Sequence, residues 1–152
     1  NAGKTAYSPS TSCKQAGVPA YLLQPSLLYF VQTPKEVVML QSYDNQVRHI
    51  RMNAAHLANV KPSWYGDSVG HYEGDTPVID TIGQNTKTFI DNYRTPHTTQ
   101  LHVVERWKLS ADKKTIDVSV YVEDPGAFKM PWRAVQRWKR VDDAPILQVP
   151  QA

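Results

Sequence analysis

The chain has 152 residues, of which 41% are hydrophobic and 20% charged, and its formal net charge at pH 7 is +3. This composition predicts a folded globular protein, and no apolar run is long enough for a membrane-spanning helix. Lysine and arginine are scattered except in residues 137–140, so the sequence shows no basic groove with interleaved aromatics, and nucleic-acid binding is not expected.

The N-terminal part of the chain reads as an irregular segment of an exported protein. The sequence begins with Asn1 rather than Met and is rich in Ser, Thr and Pro, which is typical of a mature protein after removal of a signal peptide. We therefore expect a periplasmic or secreted location. The only cysteine, Cys13, excludes an internal disulfide and is expected to be a terminal or buried thiol. Prolines interrupt residues 1–27, which we expect to lie across a barrel mouth or an open sheet edge.

From residue 28 onwards the hydrophobic pattern has a period of two, which is typical of β-strands. Long irregular connections are predicted at 53–66 and 84–99, the second with a further short strand near 88–90, and a tail at 141–152. In chain order the pattern predicts strands within 28–33, 35–43, 46–53, 67–74, 75–83, 100–109, 115–124 and 130–140.

This succession of strands predicts a single all-β domain over residues 1–152. No segment shows the apolar spacing of an amphipathic helix. About eight antiparallel strands close into a small barrel with room for one small ligand, and we expect the long loops at one mouth. A β-sandwich is the alternative.

Alternation along the last strands predicts which side chains face the interior. Trp132 and Trp138 share one face of the final strand, opposite its arginines. Glu105 shares a face with Val103 and Trp107, which places a carboxylate among apolar neighbours and calls for a compensating cation or hydrogen-bond donors. The interior face of 115–124 is predicted to consist of Ile116, Val118, Val120 and Val122.

Ionisable and aromatic residues concentrate in the two long loops and around residues 94–106. Histidine titrates near neutral pH, and a neighbouring carboxylate raises its basicity, so this composition suits acid–base chemistry. Binding residues commonly lie on long loops over a β scaffold, where we expect these groups to converge. The candidate catalytic residues are His97, His102, Glu105, Tyr65 and Asp91. The candidate substrate-binding residues are His56, Trp64, His71, Tyr93, Trp107 and Trp132.

Metal binding is the less favoured interpretation of the same residues. A strand places alternate residues on opposite faces, so ligation of one ion by His97, His102 and Glu105 together is geometrically awkward. Glycine patterns that cradle phosphates or dinucleotides are missing, as is the Gly-x-Ser-x-Gly motif of hydrolases. No metal and no cofactor are therefore expected, although the sequence leaves ligation by these three residues open.

Several motifs resemble those of a family of small exported bacterial proteins that is largely uncharacterised. The motifs are WYG at 64–66, S-x-G-x-x-EGDT-x-x-x-DT at 68–81, PHT-x-x-LH-x-x-ER at 96–106 and DP-x-x-F-x-x-PW at 124–132. The resemblance covers residues 56–132, about half of the chain, and implies export and one shared architecture but no reaction. Pro77 replaces the family's usual Leu, which predicts a loosened or edge strand there. By analogy the predicted barrel is similar to calycin-like and allene-oxide-cyclase-like barrels.

Three functions stay open on these residues. The first is a cofactor-free lyase or isomerase, in which His or Glu removes a proton from a small apolar or aromatic molecule in the barrel pocket and Tyr or a second His donates one. The second is a non-catalytic periplasmic binding barrel, in which histidines select the ligand by hydrogen bonds. The third is a structural or interaction domain. The open edges of an incompletely closed barrel also offer a pairing surface for a homodimer.

Overall fold

The protein folds into one eight-stranded sheet that curls into a half-barrel. The structure is a computed structural model and describes residues 14–42 and 45–142. Cys13 and nearly all of the predicted tail lie outside these residues. The single sheet confirms the predicted all-β class and does not fit a sandwich. The strands are β1 (Leu28–Gln32), β2 (Glu36–Gln41), β3 (Gln46–Met52), β4 (Asp67–Glu73), β5 (Thr76–Ile82), β6 (His102–Leu109), β7 (Thr115–Glu123) and β8 (Trp132–Lys139).

Strand order follows chain order, and β1 and β8 are the two edges of the sheet. All neighbours are antiparallel except β3 and β4, which run parallel over a short stretch that includes the pair Met52 and Gly70. This exception arises because residues 53–66 loop back, so that β4 begins beside the middle of β3 and runs in the same direction along its last residues. The predicted short strand at 88–90 is wrong, since these residues form a bend. Within the described ranges, no helix has the length and apolar character needed to cross a membrane.

The hydrophobic core lies on the concave face of the sheet, where the predicted alternation is confirmed. Val118, Val120 and Val122 are buried there, and Trp132 and Trp138 pack against the same cluster. Full burial of a side chain such as valine stabilises the fold by about 1.5–3 kcal/mol. At Pro77 the strand β5 pairs with β4 only, because pairing with β6 starts one residue later, which suits a residue without an N–H group.

The segment before β1 covers one end of the concave face. A short 3₁₀ helix, Ala20–Leu23, buries Tyr21 and Leu22 in the core. The amide of Gln84 holds this segment in place by accepting from the Val18 N–H at 2.7 Å and donating to the Val18 carbonyl at 2.9 Å. The other end of the concave face stays open.

Candidate functional site

A cleft occupies the open end of the concave face. It consists of two cavities of about 390 and 330 Å³ that share Phe30, Trp107 and Ile116 as walls. The first cavity reaches the gap between the edge strands, where Trp138 of β8 lies opposite β1. The second extends under β2 to β5, along side chains such as Met39 and Ile50. The half-barrel thus provides an apolar and aromatic enclosure of the size that small-molecule sites have.

Aromatic packing shapes the cleft. The rings of Phe30 and Trp107 meet edge to face with their centroids 5.6 Å apart, which is a favourable arrangement. Trp107, a predicted substrate-binding residue, is buried, and its indole N–H has no hydrogen-bond partner in the part of the chain that the structure describes. The same holds for the indole N–H of Trp138. A hydrogen-bond acceptor that paired with either of these buried N–H groups would contribute about 1–3 kcal/mol of stabilising free energy.

Beside the cleft, the interior of the half-barrel holds a fully buried ion pair between Arg48 of β3 and Glu105 of β6. The guanidinium donates to both carboxylate oxygens, at 3.1 and 2.5 Å. Its Nη2 also donates to the hydroxyls of Thr81 at 2.9 Å and Ser68 at 3.3 Å. Arg48 is therefore the cation that the predicted burial of Glu105 requires. Both oxygens of Glu105 are engaged by Arg48, and Glu105 does not line the cleft.

His102 lies on the convex face and bridges two carboxylates. Its Nε2 lies 2.9 Å from Asp80 Oδ1, and its Nδ1 lies 2.7 Å from Glu123 Oε1. The hydrogen bond to Asp80 is the main cause that raises the pKa of His102 to about 9; burial opposes it and Glu123 reinforces it. Burial favours a raised pKa for Asp80, but hydrogen bonds with His102 and His56 outweigh it and hold the pKa of Asp80 below its usual value.

His56 extends the same chain of contacts on the convex face. Its Nε2 lies 3.1 Å from Asp80 Oδ1, and its Nδ1 lies 3.0 Å from Asp67 Oδ2. Asp67 also accepts from Arg51 and from the Leu57 N–H. We call Asp67, His56, Asp80, His102 and Glu123 the convex array. It alternates carboxylates and imidazoles across β4 to β7, and it ties the 53–66 crossover to the sheet.

His97 is buried inside the 84–101 connection rather than in the cleft. Its Nε2 lies 2.7 Å from the Thr88 hydroxyl, and its Nδ1 lies 2.8 Å from the Thr98 carbonyl oxygen. Thr98 in turn donates through its N–H and its hydroxyl to Asp124, both at 2.6 Å. These contacts hold the loop against the turn that follows β7.

The remaining predicted residues are distributed over several places. Tyr65 donates to the Gln46 side chain, and Tyr65 and Trp64 line a separate cavity of about 240 Å³. Asp91, Tyr93 and Trp132 line another cavity of about 250 Å³. Asp91 there accepts from three donors of Tyr93 and Thr95. His71 is exposed and lies 3.5 Å from Glu73.

The two long loops thus do not bring the predicted residues to one point. His56 and His102 are linked through Asp80. Trp64 and Tyr65 share one cavity, and Asp91, Tyr93 and Trp132 share another. Of the eleven predicted site residues, only Trp107 lines the cleft. The sequence interpretation did not include Arg48, although Arg48 alternates with Gln46 and Ile50 on one face of β3. That alternation is the signal that could have identified it.

Comparison with known proteins adds no assignment. No family model matches the chain, and neither the curated proteins nor the solved structures include a significant match. In residues 14–42 and 45–142, no three His, Cys, Asp or Glu side chains form a group that could hold a metal ion. The geometry of the cleft therefore carries the functional argument.

Proposed function

We propose that this protein binds a small, partly apolar or aromatic molecule in the cleft between β1 and β8 without converting it. The observation that supports this proposal is the pair of adjoining cavities, about 390 and 330 Å³, which share an aromatic wall. Enclosures of this size with few polar groups are typical of small-molecule sites. A periplasmic or secreted location, as expected from the sequence, suits such a binding protein.

The position of the acid–base residues favours binding over catalysis. A lyase or isomerase needs a group within hydrogen-bond reach of the proton that it moves. None of the five predicted catalytic residues lines the cleft: Glu105 is engaged by Arg48, and His102 lies on the opposite face of the sheet. Catalysis on a bound molecule remains the alternative, and conversion of the ligand is the result that would favour it.

Tryptophan fluorescence tests the proposal, because Trp107 and Trp138 both line the cleft. We expect saturable quenching by neutral probes such as 4-phenylbutan-1-ol and decanol, and recovery of each probe unchanged by mass spectrometry. Loss of the probe with appearance of a product would replace binding by catalysis. Absence of saturable quenching by both neutral probes and by charged analogues of 4-phenylbutan-1-ol would overturn the proposal.

A matched pair of variants locates the binding site on β1. Phe30 and Val31 are neighbours with similar exposure, but only Phe30 lines the cleft. We expect Phe30→Ala to raise the dissociation constant by about three- to tenfold, because it removes an aromatic contact. Val31→Ala should leave it unchanged. Equal effects of the two substitutions would place the bound probe elsewhere.

A further inference from the structure

We propose that the natural ligand of the cleft is an organic anion, a carboxylate on an apolar or aromatic body, whose charged end lies among Lys113, Lys114 and Lys139. This inference rests on the proposed function and specifies its ligand class. The three lysines line the cavity of about 390 Å³, whose apolar walls include Phe30 and Trp107.

The pairing of β7 with β8 brings together Lys113 and Lys114, from the turn before β7, and Lys139, from the end of β8. Thr115 at the start of β7 pairs with Lys139 at the end of β8, and the Arg140 N–H donates to the Lys114 carbonyl at 2.8 Å. Residues far apart in the sequence therefore meet at one end of the cleft. Asp112 in the preceding turn accepts from the Ser110 hydroxyl at 2.6 Å and the Lys114 N–H at 3.1 Å, and it does not line the cavity.

Within the described part of the chain, no acidic side chain forms an ion pair with this basic cluster. No Asp or Glu is among the described residues that line this cavity, and none of the three lysine side chains forms an ion pair within the described chain. Arg140 also lines the cavity but pairs with Asp142 at 2.7 Å. By contrast, the neighbouring Arg137 is bound by both oxygens of Asp117. Three exposed lysines that line a low-dielectric cavity and have no ion-pair partner among the described residues create a positive potential that favours an anion.

The combination of the two features determines the ligand class. The apolar walls disfavour a fully hydrated inorganic ion, because burying it there removes water without replacing the lost hydrogen bonds. The lysines disfavour a cation by direct repulsion. A molecule with an apolar body and a carboxylate at one end matches both parts of the cavity.

Three probes with one body and different charges test this inference: 4-phenylbutyrate, 4-phenylbutan-1-ol and 4-phenylbutylamine. At low ionic strength we expect the carboxylate to bind about three- to tenfold more tightly than the alcohol, and the amine to bind more weakly than either. Added salt should reduce the preference for the carboxylate and leave the affinity for the alcohol unchanged. The measurement is the tryptophan-quenching titration with each probe.

A pair of double variants assigns the effect to the lysines. Lys114→Gln with Lys139→Gln should remove the preference for 4-phenylbutyrate over the alcohol and its salt dependence. Lys61 and Lys129 are exposed and line neither cavity of the cleft, so Lys61→Gln with Lys129→Gln controls for net charge and should keep both.

The outcomes separate this inference from the proposed function. Equal binding of the three probes would overturn the anion preference while binding in the cleft stands. Retention of the preference in the Lys114/Lys139 variant would also overturn it. Failure of all three probes to bind would remove the proposed function itself.

Discussion

Arg48 and Glu105 face each other across the interior of the half-barrel from β3 and β6. Both side chains have no exposed surface, so each would be a severely destabilising isolated charge without the other. The hydroxyls of Ser68 and Thr81 complete the hydrogen bonding of one guanidinium nitrogen. The pair therefore joins strands that are not neighbours in the sheet, and its contribution to stability depends on both members.

Replacing one member of this pair should be more harmful than replacing both. We expect Glu105→Gln or Arg48→Met alone to lower the free energy of unfolding by about 3–5 kcal/mol, because a buried charge is left uncompensated. The double variant Arg48→Met with Glu105→Leu should lie within about 1 kcal/mol of the wild type or above it. Urea denaturation measures both.

A surface pair provides the control for this prediction. Arg106 follows Glu105 in the chain and pairs with Glu73 at 3.3 Å with about half of each side chain exposed. We expect Arg106→Met to change the free energy of unfolding by less than about 1 kcal/mol. A single Glu105 variant as stable as the Arg106 variant would contradict the role that we assign to the buried pair.

His102 should make the stability of the fold depend on pH. The folded-state pKa of about 9 lies above the ordinary value of 6.5, so the folded protein binds this proton more tightly than the unfolded chain. The resulting stabilisation is complete below about pH 6.5 and is lost as the pH rises through about 9. Because the partner carboxylates are partly exposed, we expect a loss of about 1–2 kcal/mol over this range.

Comparison of two histidine variants checks this pH dependence. Urea denaturation at several pH values should show the loss in the wild type and in His71→Gln, since His71 is exposed and outside the convex array. His102→Gln should remove it. Equal pH profiles for the three proteins would show that the contacts of His102 with Asp80 and Glu123 do not carry the effect.

At the scale of elements, the 53–66 crossover sets the parallel pairing of β3 and β4. Gly66 is the last residue of this crossover. Gly66 has a φ of +64°, and a Cβ there would lie 2.2 Å from the Ile82 carbonyl oxygen. Gly74, in the tight turn between β4 and β5, has nearly the same φ of +65° but open space around it. The two positions thus separate backbone strain from steric collision.

Alanine at these two glycines should have different effects. Gly74→Ala should lower the free energy of unfolding by about 1–2 kcal/mol, the ordinary cost of a left-handed conformation for a residue with a Cβ. Gly66→Ala should cost at least about 2 kcal/mol more, because the crossover must move away from β5. Thermal or urea unfolding measures the difference. Equal destabilisation would mean that the crossover adjusts freely and does not fix β4.

The sequence predicted the elements better than the contacts between them. Alternating apolar residues located all eight strands, and they placed Glu105 and the valines of β7 on the interior face. A period of two defines the face of a strand, but it does not define which residue lies opposite on a distant strand. The pairing of Arg48 with Glu105, and of His56 with Asp80, depends on the curl of the sheet and on the path of the crossover. The prediction that residues of the two long loops converge at one site was wrong for the same reason.

At the scale of the whole molecule, the two open edges of the half-barrel differ in their protection. The β8 edge carries Arg133, Arg137 and Lys139, whose exposed charges oppose pairing with another strand. The β1 edge has the sequence LYFVQ without a charged residue, and Phe30 and Val31 are 45% and 50% exposed. The predicted homodimer is therefore expected to form through β1.

Charge placed on β1 should prevent a dimer through this edge. We expect Val31→Lys to shift the protein towards the monomer in sedimentation velocity experiments from micromolar to near-millimolar concentrations, because strand pairing would bury the added ammonium groups. Val135→Lys makes the same change at an exposed valine of β8 and should leave the monomer–dimer equilibrium unchanged. A wild-type protein that sediments as a monomer throughout this range would exclude the β1 dimer. A dimer that persists in Val31→Lys but is lost in Val135→Lys would move the interface to β8, which borders the same cleft from its other side.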